Sequence, residues 1–589
     1  MIARMKHEPF YTSGTSFLPE IGVYGGWVAH EDSFAASQST HVNLGGVSLL
    51  FSGEFFSPLS LPTKQPSIEN KENDRNVDQL LHLYDKQGDH FVEQMNGLFS
   101  GLLIDQKRNR TLLFNDRYGA ERIYYYEKND ITYFASEAKA LLAVIPELRA
   151  FDDEGVAQFL AFGCTLGETT LFKKIKMLPG GSIWNFEEGT SSRKTQYFLP
   201  KDWESQDVLT EEAFEIELLE TFERILPQYV SSLESKIGIS LTGGLDTRMI
   251  MAGVSKELVE AVCYTFAGLE GETLDVKLAR SVADMCQFDH HILRIGTDFL
   301  SNYGTYVDKT VFYTDGCAGA MGAHEIYFNA QARKFSPIRL TGNFGSEILR
   351  SMSTFKPLNL TRSLINKDIS NLVYTTVQNV IDKKTHPVTF AAFQEIPWNL
   401  FGAMAAGKSQ LTFRTPYLDN EIVRLAFRAP SSSRQSPQSA LRLVNNLNPG
   451  LAKIPTDLGL LYGDPAPLSM LRQIFSKVTF KLDYLHKEGL PNWLSPVDPL
   501  IGSLSKIGIL GLHKFLPYRN WYRQEMASYI GAVLTDAQTQ RSPYWNASFL
   551  TSILEDHISG RKNYTREIHS ILTLEAIERL IIRNSSESE

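Results

Sequence analysis

The chain has 589 residues, of which 43% are hydrophobic and 21% charged. That length predicts two to four domains, and the composition is typical of a globular protein. The net charge of −9 argues against a nucleic-acid partner, which usually requires a strong basic excess. No apolar run approaches the roughly 18 residues that a membrane-spanning helix needs, and the first 20 residues lack a signal-peptide pattern. We therefore expect a cytoplasmic protein with no membrane partner.

Residues 20–190 contain short strand patterns separated by turns, which lie near 21–27, 46–52, 97–105, 111–115, 124–126 and 132–135. Their alternation and aromatic content predict a mostly antiparallel sheet, because the connections are short. Two helical patterns, near 76–95 and 136–145, interrupt it. The expected N-terminal unit is a sandwich-like α+β domain. A polar stretch, 191–212, reads as a linker.

From residue 213 to 583 the pattern changes to helices that alternate with short apolar strands. The strands are expected at 237–241, 262–266, 291–295 and 337–341, with helices at 249–260 and 274–285. This βαβ rhythm predicts an α/β domain with a parallel sheet. Beyond about 355 the chain reads as helical, ending in an amphipathic helix at 570–582 and a polar tail at 584–589.

The ten residues 239–248 read as a strand end, a turn with two glycines and small hydroxyls, and the start of a helix. Gly243 and Gly244 let the backbone approach an anion, and the helix N-terminus directs N–H groups toward it. Thr242 and Thr247 add hydroxyl donors, and Asp246 could hold a Mg²⁺ ion that bridges phosphate oxygens. An ordinary strand–turn–helix junction is the alternative reading.

The turn 240–247 resembles the pyrophosphate-binding loop, Ser-Gly-Gly-x-Asp-Ser, of the asparagine synthetase family, with Thr242 and Thr247 in place of the serines. Further motifs of that family occur in the same order. Residues 116–125 are similar to Asp-Arg-x-Gly-x-x-x-Leu-Tyr-Tyr, and residues 414–419 to Arg-x-Pro-Phe-Leu-Asp. Residues 134–141 and 178–181 also match in position. The resemblance covers roughly residues 20–580.

The resemblance implies an Ntn-hydrolase-like, glutamine amidotransferase type 2-like domain over 20–190. An ATP-pyrophosphatase domain, adenine nucleotide alpha hydrolase-like with a helical C-terminal part, would follow over 213–583. Such a protein forms an amide through an acyl-adenylate, using ATP, Mg²⁺, a carboxylate, and an amine or ammonia. A homodimer is compatible with the sequence, which does not fix the oligomeric state.

The resemblance also assigns roles to individual residues. Leu241 would hold the nucleotide through its backbone, Phe266 would lie beside the adenine, and Asp246 would bind Mg²⁺ and take part in catalysis. The remaining nucleotide contacts would come from Thr242, Gly243, Gly244, Thr247, Thr341 and Gly342.

The N-terminal domain departs from the family pattern where a glutaminase needs its nucleophile. Active members start with a cysteine whose thiolate and amine perform the chemistry. Ile21 stands at the corresponding place, and no cysteine precedes Cys164. The family's Asn-Gly-Glu appears as Ser52-Gly53-Glu54. We therefore predict that this domain has no glutaminase activity. The four cysteines show no C-x-x-C spacing, which favours reduced thiols over a disulfide or zinc site.

The second domain departs from the pattern as well. Asn343 and Ser346 replace a glutamate and a metal-binding aspartate of the family, while Glu347 is retained and could serve as a second Mg²⁺ ligand. Gln438 aligns with the family's catalytic lysine. Arg442 or Lys453 could supply that cation, although exposed helix and loop positions explain both equally well.

The sequence thus predicts an asparagine synthase-like amide ligase that uses ammonia or a substrate amine. The missing glutaminase also resembles β-lactam synthetases and lasso-peptide cyclases, and asparagine synthesis from aspartate stays open. The alternative is a catalytically inactive binding or regulatory subunit.

Overall fold

The computed structural model describes residues 1–38, 46–56, 72–187, 192–231, 236–269, 271–381, 385–463 and 515–583, with a few residues between 472 and 479. Among them the strands are β1 Tyr11–Leu18, β2 Val23–His30, β3 Val47–Phe55, β4 Gly97–Asp105, β5 Arg110–Asn115, β6 Tyr124–Lys128, β7 Ile131–Ala135, β8 Lys176–Met177, β9 Ser182–Glu187, β10 Arg193–Gln196, β11 Ile237–Ser240, β12 Ala261–Ala267, β13 His290–Arg294, β14 Ile338–Thr341 and β15 Thr412–Arg414.

The α-helices of the described residues are α1 Ile2–Met5, α2 Phe34–Gln38, α3 Glu72–Gln87, α4 Ala138–Val144, α5 Asp153–Phe162, α6 Lys201–Glu204, α7 Glu211–Val230, α8 Leu245–Gly253, α9 Leu274–Met285, α10 Thr297–Ser301, α11 Tyr303–Tyr313, α12 Ala323–Arg333, α13 Gly345–Arg350, α14 Lys367–Ile381, α15 Pro387–Phe390, α16 Phe401–Lys408, α17 Asn420–Arg428, α18 Ser431–Arg434, α19 Gln438–Leu447, α20 Tyr518–Arg523, α21 Ala527–Thr535, α22 Ala537–Arg541, α23 Ala547–Ile558 and α24 Thr565–Ile577.

The N-terminal domain is the predicted α+β sandwich. A five-stranded antiparallel sheet, in the order β10-β9-β5-β4-β3, lies against a three-stranded sheet, β7-β6-β8. Tyr125 of the smaller sheet packs edge-on against Trp184 of the larger one, with ring centroids 4.7 Å apart. The opposite face of the larger sheet packs on α3 and on the 3-10 helix Gly88–Gln94 that follows it, where Tyr84 and Phe91 respectively are fully buried. Strands β1 and β2 form a separate antiparallel hairpin.

The polar stretch predicted as a linker has more structure than its composition suggested. Strand β10 pairs with β9, and α6 follows it. The apolar anchors are Phe198 and Trp203, whose ring centroids lie 4.5 Å apart, and Trp203 also contacts Phe427 of α17. Strand pairing, hydrogen bonds to α17 and these two aromatic side chains together hold the polar segment against the core.

The C-terminal domain contains the predicted parallel sheet, in the order β13-β12-β11-β14-β15. All neighbouring strands in it are parallel, and β11 is central. The chain passes from β11 outward to β13 and then returns to the other side of β11 as β14. The switch point of the sheet, where ligands commonly bind, therefore lies between β11 and β14.

Helix α8 differs in its bounds from the sequence prediction. It begins at Leu245 rather than at 249, and it ends at Gly253 rather than at 260. The early end follows from Val254, which adopts an extended backbone with φ −104° and ψ 127°. The first turn of the helix is consequently part of the glycine-containing turn itself.

The last helices pack onto the α/β domain. Most residues of α24 are buried, and Thr573 Oγ1 accepts a hydrogen bond from the Ala320 N–H at 3.0 Å. The predicted helix over 570–582 is confirmed, as α24 followed by a π-helical turn at Glu578–Arg583. The polar tail 584–589 lies outside the described residues. No described helix is long and apolar enough to cross a membrane.

Candidate functional site

The candidate site lies in the crevice between β11 and β14. The two strands run in parallel register, with Ser240 opposite Thr341. A turn at 241–244 connects β11 to α8, and a turn at 342–344 connects β14 to α13. The fold therefore brings two of the sequence motifs together, although about 100 residues separate them.

Helix α8 begins without a side-chain cap. Its N-cap residue is Gly244, and no described side chain accepts a hydrogen bond there, whereas Thr210 and Thr273 cap the neighbouring helices α7 and α9. The N–H groups of a first turn have no partner inside the helix and carry the positive end of its dipole. The start of α8 therefore leaves donors for an anion.

Two threonine hydroxyls lie across this turn from each other. Thr242 Oγ1 and Thr247 Oγ1 are 3.3 Å apart, and Thr242 Oγ1 also accepts a hydrogen bond from the Gly244 N–H at 3.2 Å. Thr242 is exposed and Thr247 is buried. The pair thus reaches from solvent to the base of the crevice.

Gly342 and Gly345 let the second turn approach α8 closely. A Cβ atom at Gly342 would lie 2.6 Å from the Thr247 nitrogen, and one at Gly345 would lie 2.7 Å from Asp246 Cγ. Real Cβ atoms do not come this near to other atoms, so larger residues would push the turns apart. The glycines are required by packing between the two turns.

Asp246, the predicted Mg²⁺ ligand, is held by two side chains of α13. Its Oδ2 accepts a hydrogen bond from the Ser346 hydroxyl at 2.6 Å, and its Oδ1 accepts one from Arg350 Nη2 at 2.7 Å. The Tyr417 hydroxyl also donates to the Asp246 carbonyl at 2.6 Å. Burial raises the pKa of Asp246, although the Arg350 charge acts in the opposite direction.

Glu347, the second predicted Mg²⁺ ligand, is a partly buried carboxyl near other carboxyls. Burial, together with Asp246 and Glu395, raises its pKa to about 7. Mg²⁺ prefers ionised oxygen ligands, whereas burial favours the protonated form of Glu347 and each oxygen of Asp246 already accepts a hydrogen bond. The described residues contain no group of three His, Cys, Asp or Glu side chains placed to hold a metal ion. In this arrangement they do not fit a Mg²⁺ site.

Three charged residues at the glycine turn were not anticipated from the sequence. Asp275 Oδ1 accepts a hydrogen bond from the Gly243 N–H at 2.8 Å, and the Asp457 N–H donates to the Gly243 carbonyl at 3.0 Å. Arg248 is almost fully buried, and its guanidinium donates to the carbonyls of Ile454 and Pro455. Burial lowers the pKa of Arg248 to about 10.

A signal for one of these residues does exist in the sequence. Asp275 lies two positions after Thr273, just beyond the carboxyl end of β12, the strand beside β11. Polar residues that follow adjacent parallel strands meet at one edge of a sheet.

Leu241 and Phe266 lie near the crevice but already have partners. The Leu241 N–H donates to the Tyr264 carbonyl at 2.8 Å, and its carbonyl accepts from Thr265 Oγ1 at 3.0 Å. Phe266 stacks on Phe328, with ring centroids 4.6 Å apart. On the β14 side, Thr341 Oγ1 donates to Asn343 Oδ1 at 2.9 Å.

The proposed replacement cations lie on the helical part that follows. Arg442 forms an ion pair with Glu215 of α7, and its side chain is 47% exposed. Lys453 is exposed and directly precedes Ile454, the residue whose carbonyl Arg248 binds. Gln438 is also exposed, at the first position of α19. Of these three, Lys453 is therefore the one connected to the glycine turn.

A second cavity, of about 230 Å³, lies between the two domains. It is lined by Ser52, Gly53 and Glu54, which occupy the place of the glutaminase motif. Glu54 accepts two hydrogen bonds from Arg414 of β15, at 2.8 and 2.7 Å. The carboxylate that would face a glutamine substrate is thus paired with the other domain.

Comparison with known proteins agrees with this architecture. Residues 31–198 match the glutamine amidotransferase domain, and residues 229–397 match the asparagine synthase domain. Together with the relatives described next, these two matches support assignment of the chain to the asparagine synthetase family.

The similar proteins have low sequence identity. Glutamine-hydrolyzing asparagine synthetase 2 of Bacillus subtilis is 25% identical over 53% of this chain and 43% of its own length. Asparagine synthetase 1 of the same organism is 21% identical over 89% of this chain and 84% of its own length. Asparagine synthetase 3 of Arabidopsis thaliana is 24% identical over 45% of this chain and 43% of its own length. The chain thus spans less than half the length of the first and third of these relatives.

Proposed function

We propose that this chain is an ATP-dependent, AMP-forming amide ligase. It would activate a carboxylate as an acyl-adenylate and transfer the acyl group to ammonia or to a substrate amine. The observation that carries the proposal is the uncapped first turn of α8, which follows Gly243 and Gly244 at the switch point of the parallel sheet. Such a turn is suited to bind pyrophosphate. The match of residues 229–397 to the asparagine synthase domain supports the same nucleotide chemistry.

In the proposed reaction, a carboxylate oxygen attacks the α-phosphorus of ATP, and the bond to the β,γ-pyrophosphate breaks. Pyrophosphate leaves with the electron pair, and its charge would be stabilised by the first-turn N–H groups of α8 and by Thr242 and Thr247. Each well-placed donor contributes roughly 3–4 kcal/mol in such sites. The amine nitrogen then attacks the acyl carbon, AMP leaves, and the amine loses a proton.

The other predicted residues have places in this proposal. Leu241 and Phe266 would lie on the adenine side of the crevice, and Thr341 and Gly342 on the opposite side. Between the two replacement cations we favour Lys453, because Arg442 is already paired with Glu215. The Lys453 side chain has no hydrogen bond or ion pair among the described residues, and Lys453 is the last residue of the short turn Leu451–Lys453.

We also propose that the N-terminal domain does not hydrolyse glutamine. The sequence has no cysteine before Cys164, and burial raises the pKa of the Cys164 thiol to about 12, so it is not a nucleophile at neutral pH. Glu54 is bound by Arg414 rather than left for a substrate. The amine would therefore come from free ammonia or from the substrate. Asparagine formation from aspartate remains one candidate reaction.

The test is ATP–pyrophosphate exchange in the presence of aspartate, peptide carboxylates and sugar acids. We expect one class to stimulate exchange, and Thr242→Val to lower the exchange rate by about 10²-fold, as removal of one transition-state donor typically does. Thr535→Val, an exposed threonine on α21, is the matched control and should behave as the wild type. A protein that binds ATP yet shows neither exchange nor AMP with any class would refute the ligase proposal.

A second candidate function, a non-catalytic binding or regulatory subunit, is favoured by one observation. The Gly243 N–H, a donor that a phosphate would use, is bound to the Asp275 carboxylate. Calorimetry with ATP separates the alternatives when wild type and Asp246→Ala are compared. No heat of binding in either protein would favour a non-catalytic subunit whose turn never binds nucleotide, whereas heat in the wild type that Asp246→Ala loses would favour the ligase.

A further inference from the structure

Arg350 is placed at the first turn of α8 by the packing of α13. Gly345, at the start of α13, lies directly against the Asp246 side chain. From the last position of the same helix, Arg350 Nη2 donates to Asp246 Oδ1 at 2.7 Å and to Ser346 Oγ at 2.5 Å. A guanidinium cation is therefore paired with the carboxylate that was predicted to hold Mg²⁺.

The Arg350 guanidinium has hydrogen-bonding capacity left. Its Nε is buried and has no acceptor among the described residues, and Nη1 makes no hydrogen bond there either. A buried donor without a partner is costly, and an acceptor on a ligand would remove that cost. Arginine offers five N–H donors in a planar arrangement that matches phosphate oxygens. An incoming phosphate would supply the acceptors that the protein does not.

The positive charge of Arg350 also offsets the electrostatic repulsion that the Asp246 carboxylate would exert on a bound polyphosphate. An ionised carboxylate at the helix N-terminus would repel a polyphosphate, since both are anions. In a metal-dependent site the divalent cation offsets this repulsion. Here both Asp246 oxygens are engaged by Ser346 and Arg350, and the described residues offer no three-ligand metal group. In this protein the positive charge that offsets the repulsion is the guanidinium of Arg350, a side chain of the protein itself.

We propose that Arg350, positioned by Ser346 and Asp246, supplies the positive charge that binds the nucleotide phosphates in place of a protein-bound Mg²⁺ ion. The inference rests on the proposed function, because it concerns the same phosphate site. It predicts that the protein binds ATP and pyrophosphate without a divalent metal. It also predicts that this metal-independent binding depends on residue 350.

The experiment is isothermal titration calorimetry with ATP and with pyrophosphate, each in EDTA and in MgCl₂. For the wild type we expect the dissociation constants in the two buffers to agree within about threefold. Arg350→Met should weaken binding in EDTA by at least about tenfold, the usual effect of losing hydrogen bonds to a charged group. Arg561→Met removes an exposed arginine that also pairs with carboxylates, and it should leave both constants unchanged.

Arg350→Met leaves Asp246 partly buried without its cation, so a double variant guards against misfolding. Arg350→Met/Asp246→Asn removes both charges, and we expect it to fold, as judged by its melting temperature, and still to bind ATP more weakly than the wild type in EDTA.

The possible outcomes separate the inference from the proposed function. Binding by the wild type that requires MgCl₂ would overturn the inference and leave the ATP site intact. Arg350→Met binding as tightly as the wild type in EDTA would also overturn it. Absence of ATP and pyrophosphate binding in every buffer would refute the proposed function itself, and the inference with it.

Discussion

The Gly243 N–H donates a hydrogen bond of 2.8 Å to the carboxylate of Asp275, 32 residues later in the chain. An anion from the protein thus occupies one donor of the turn that we propose for phosphate. Burial raises the pKa of Asp275 to about 6, with a further contribution from Asp457, although the bond from Gly243 favours the ionised form. The negative charge beside this donor is therefore coupled to pH.

Replacing Asp275 by Asn should stabilise the protein at high pH. Because the folded pKa is raised from 3.8 to about 6, the stability that this group contributes is fully present below pH 3.8 and is lost as the pH rises through 6. Asp275→Asn does not lose this stability as the pH rises. Its free energy of unfolding should therefore exceed that of the wild type by near zero at pH 4 and by about 1–3 kcal/mol at pH 8. Urea denaturation at the two pH values measures it.

The same variant should bind pyrophosphate more tightly. At pH 8 we expect Asp275→Asn to improve affinity by about tenfold, because one negative charge is removed beside the ligand. Comparing wild type and variant at each pH cancels the ionisation of pyrophosphate itself. Equal affinities at pH 8 would show that Asp275 lies outside the anion site.

The features that could be predicted from the sequence are those that depend on a local pattern of residues. The parallel strands, the turn from Thr242 to Thr247 and the helix after it each follow from residues that are near one another in the chain. The βαβ rhythm also predicted that this turn lies beyond the carboxyl end of a parallel strand, whereas the order of the strands around β11 came only from the structure.

Long-range side-chain pairs could not be predicted in the same way. Arg350 meets Asp246 across 104 positions, and Arg414 meets Glu54 across 360 positions. No periodicity connects such residues, and their contact depends on how the domains pack. The Mg²⁺ ligands were expected from the residue types of the turn and from motif resemblance, neither of which reveals that Arg350 is the partner of Asp246.

Replacing Gly342 by Ala should disrupt the crevice. The added Cβ would lie 2.6 Å from the Thr247 nitrogen and 2.8 Å from its Cγ2, so the turn after β14 must move away from α8. We expect a loss of about 1–3 kcal/mol in unfolding free energy, as for other overpacked sites, and at least tenfold weaker ATP binding. Chemical denaturation and calorimetry measure the two effects.

Gly531→Ala is the control for this change. Gly531 lies within α21, and its added Cβ would come no nearer than 3.4 Å to Leu554 Cδ2. Alanine is favoured over glycine in a helix interior by up to about 1 kcal/mol, so this variant should be as stable as the wild type or more so. If both glycine variants behave alike, close packing at Gly342 is not the cause.

Arg248 should prove essential for holding residues 454–457 against the glycine turn. Its buried guanidinium binds the carbonyls of Ile454 and Pro455, and Arg248→Leu leaves both acceptors without their donor. An unsatisfied buried group costs about 1–3 kcal/mol, so we expect a destabilisation of roughly 2–4 kcal/mol. Limited proteolysis should then cut the segment near 454–457 faster than in the wild type. Cleavage at the wild-type rate would contradict this role.

The pair of Glu54 and Arg414 should be a main link between the two domains. Arg414 is buried, donates twice to Glu54, and also binds the carbonyls of Tyr229 and Ser231 at 3.1 and 2.9 Å. Arg414→Met removes one partner of a buried ion pair, a change that typically costs about 3–5 kcal/mol. Glu54→Gln keeps the shape and one acceptor, so its cost should be smaller.

Denaturation followed separately in each domain measures this link. Trp184 lies in the N-terminal sheet, and single-tryptophan variants that retain it, or retain Trp521 of α20, would report on the two halves. With Arg414 intact we expect one common transition, and with Arg414→Met two transitions separated in denaturant concentration. The exposed pair of Arg561 and Asp556 is the control, since such surface pairs contribute only about 0–1 kcal/mol. A single unchanged transition in Arg414→Met would show that the remaining interface holds the domains without this pair.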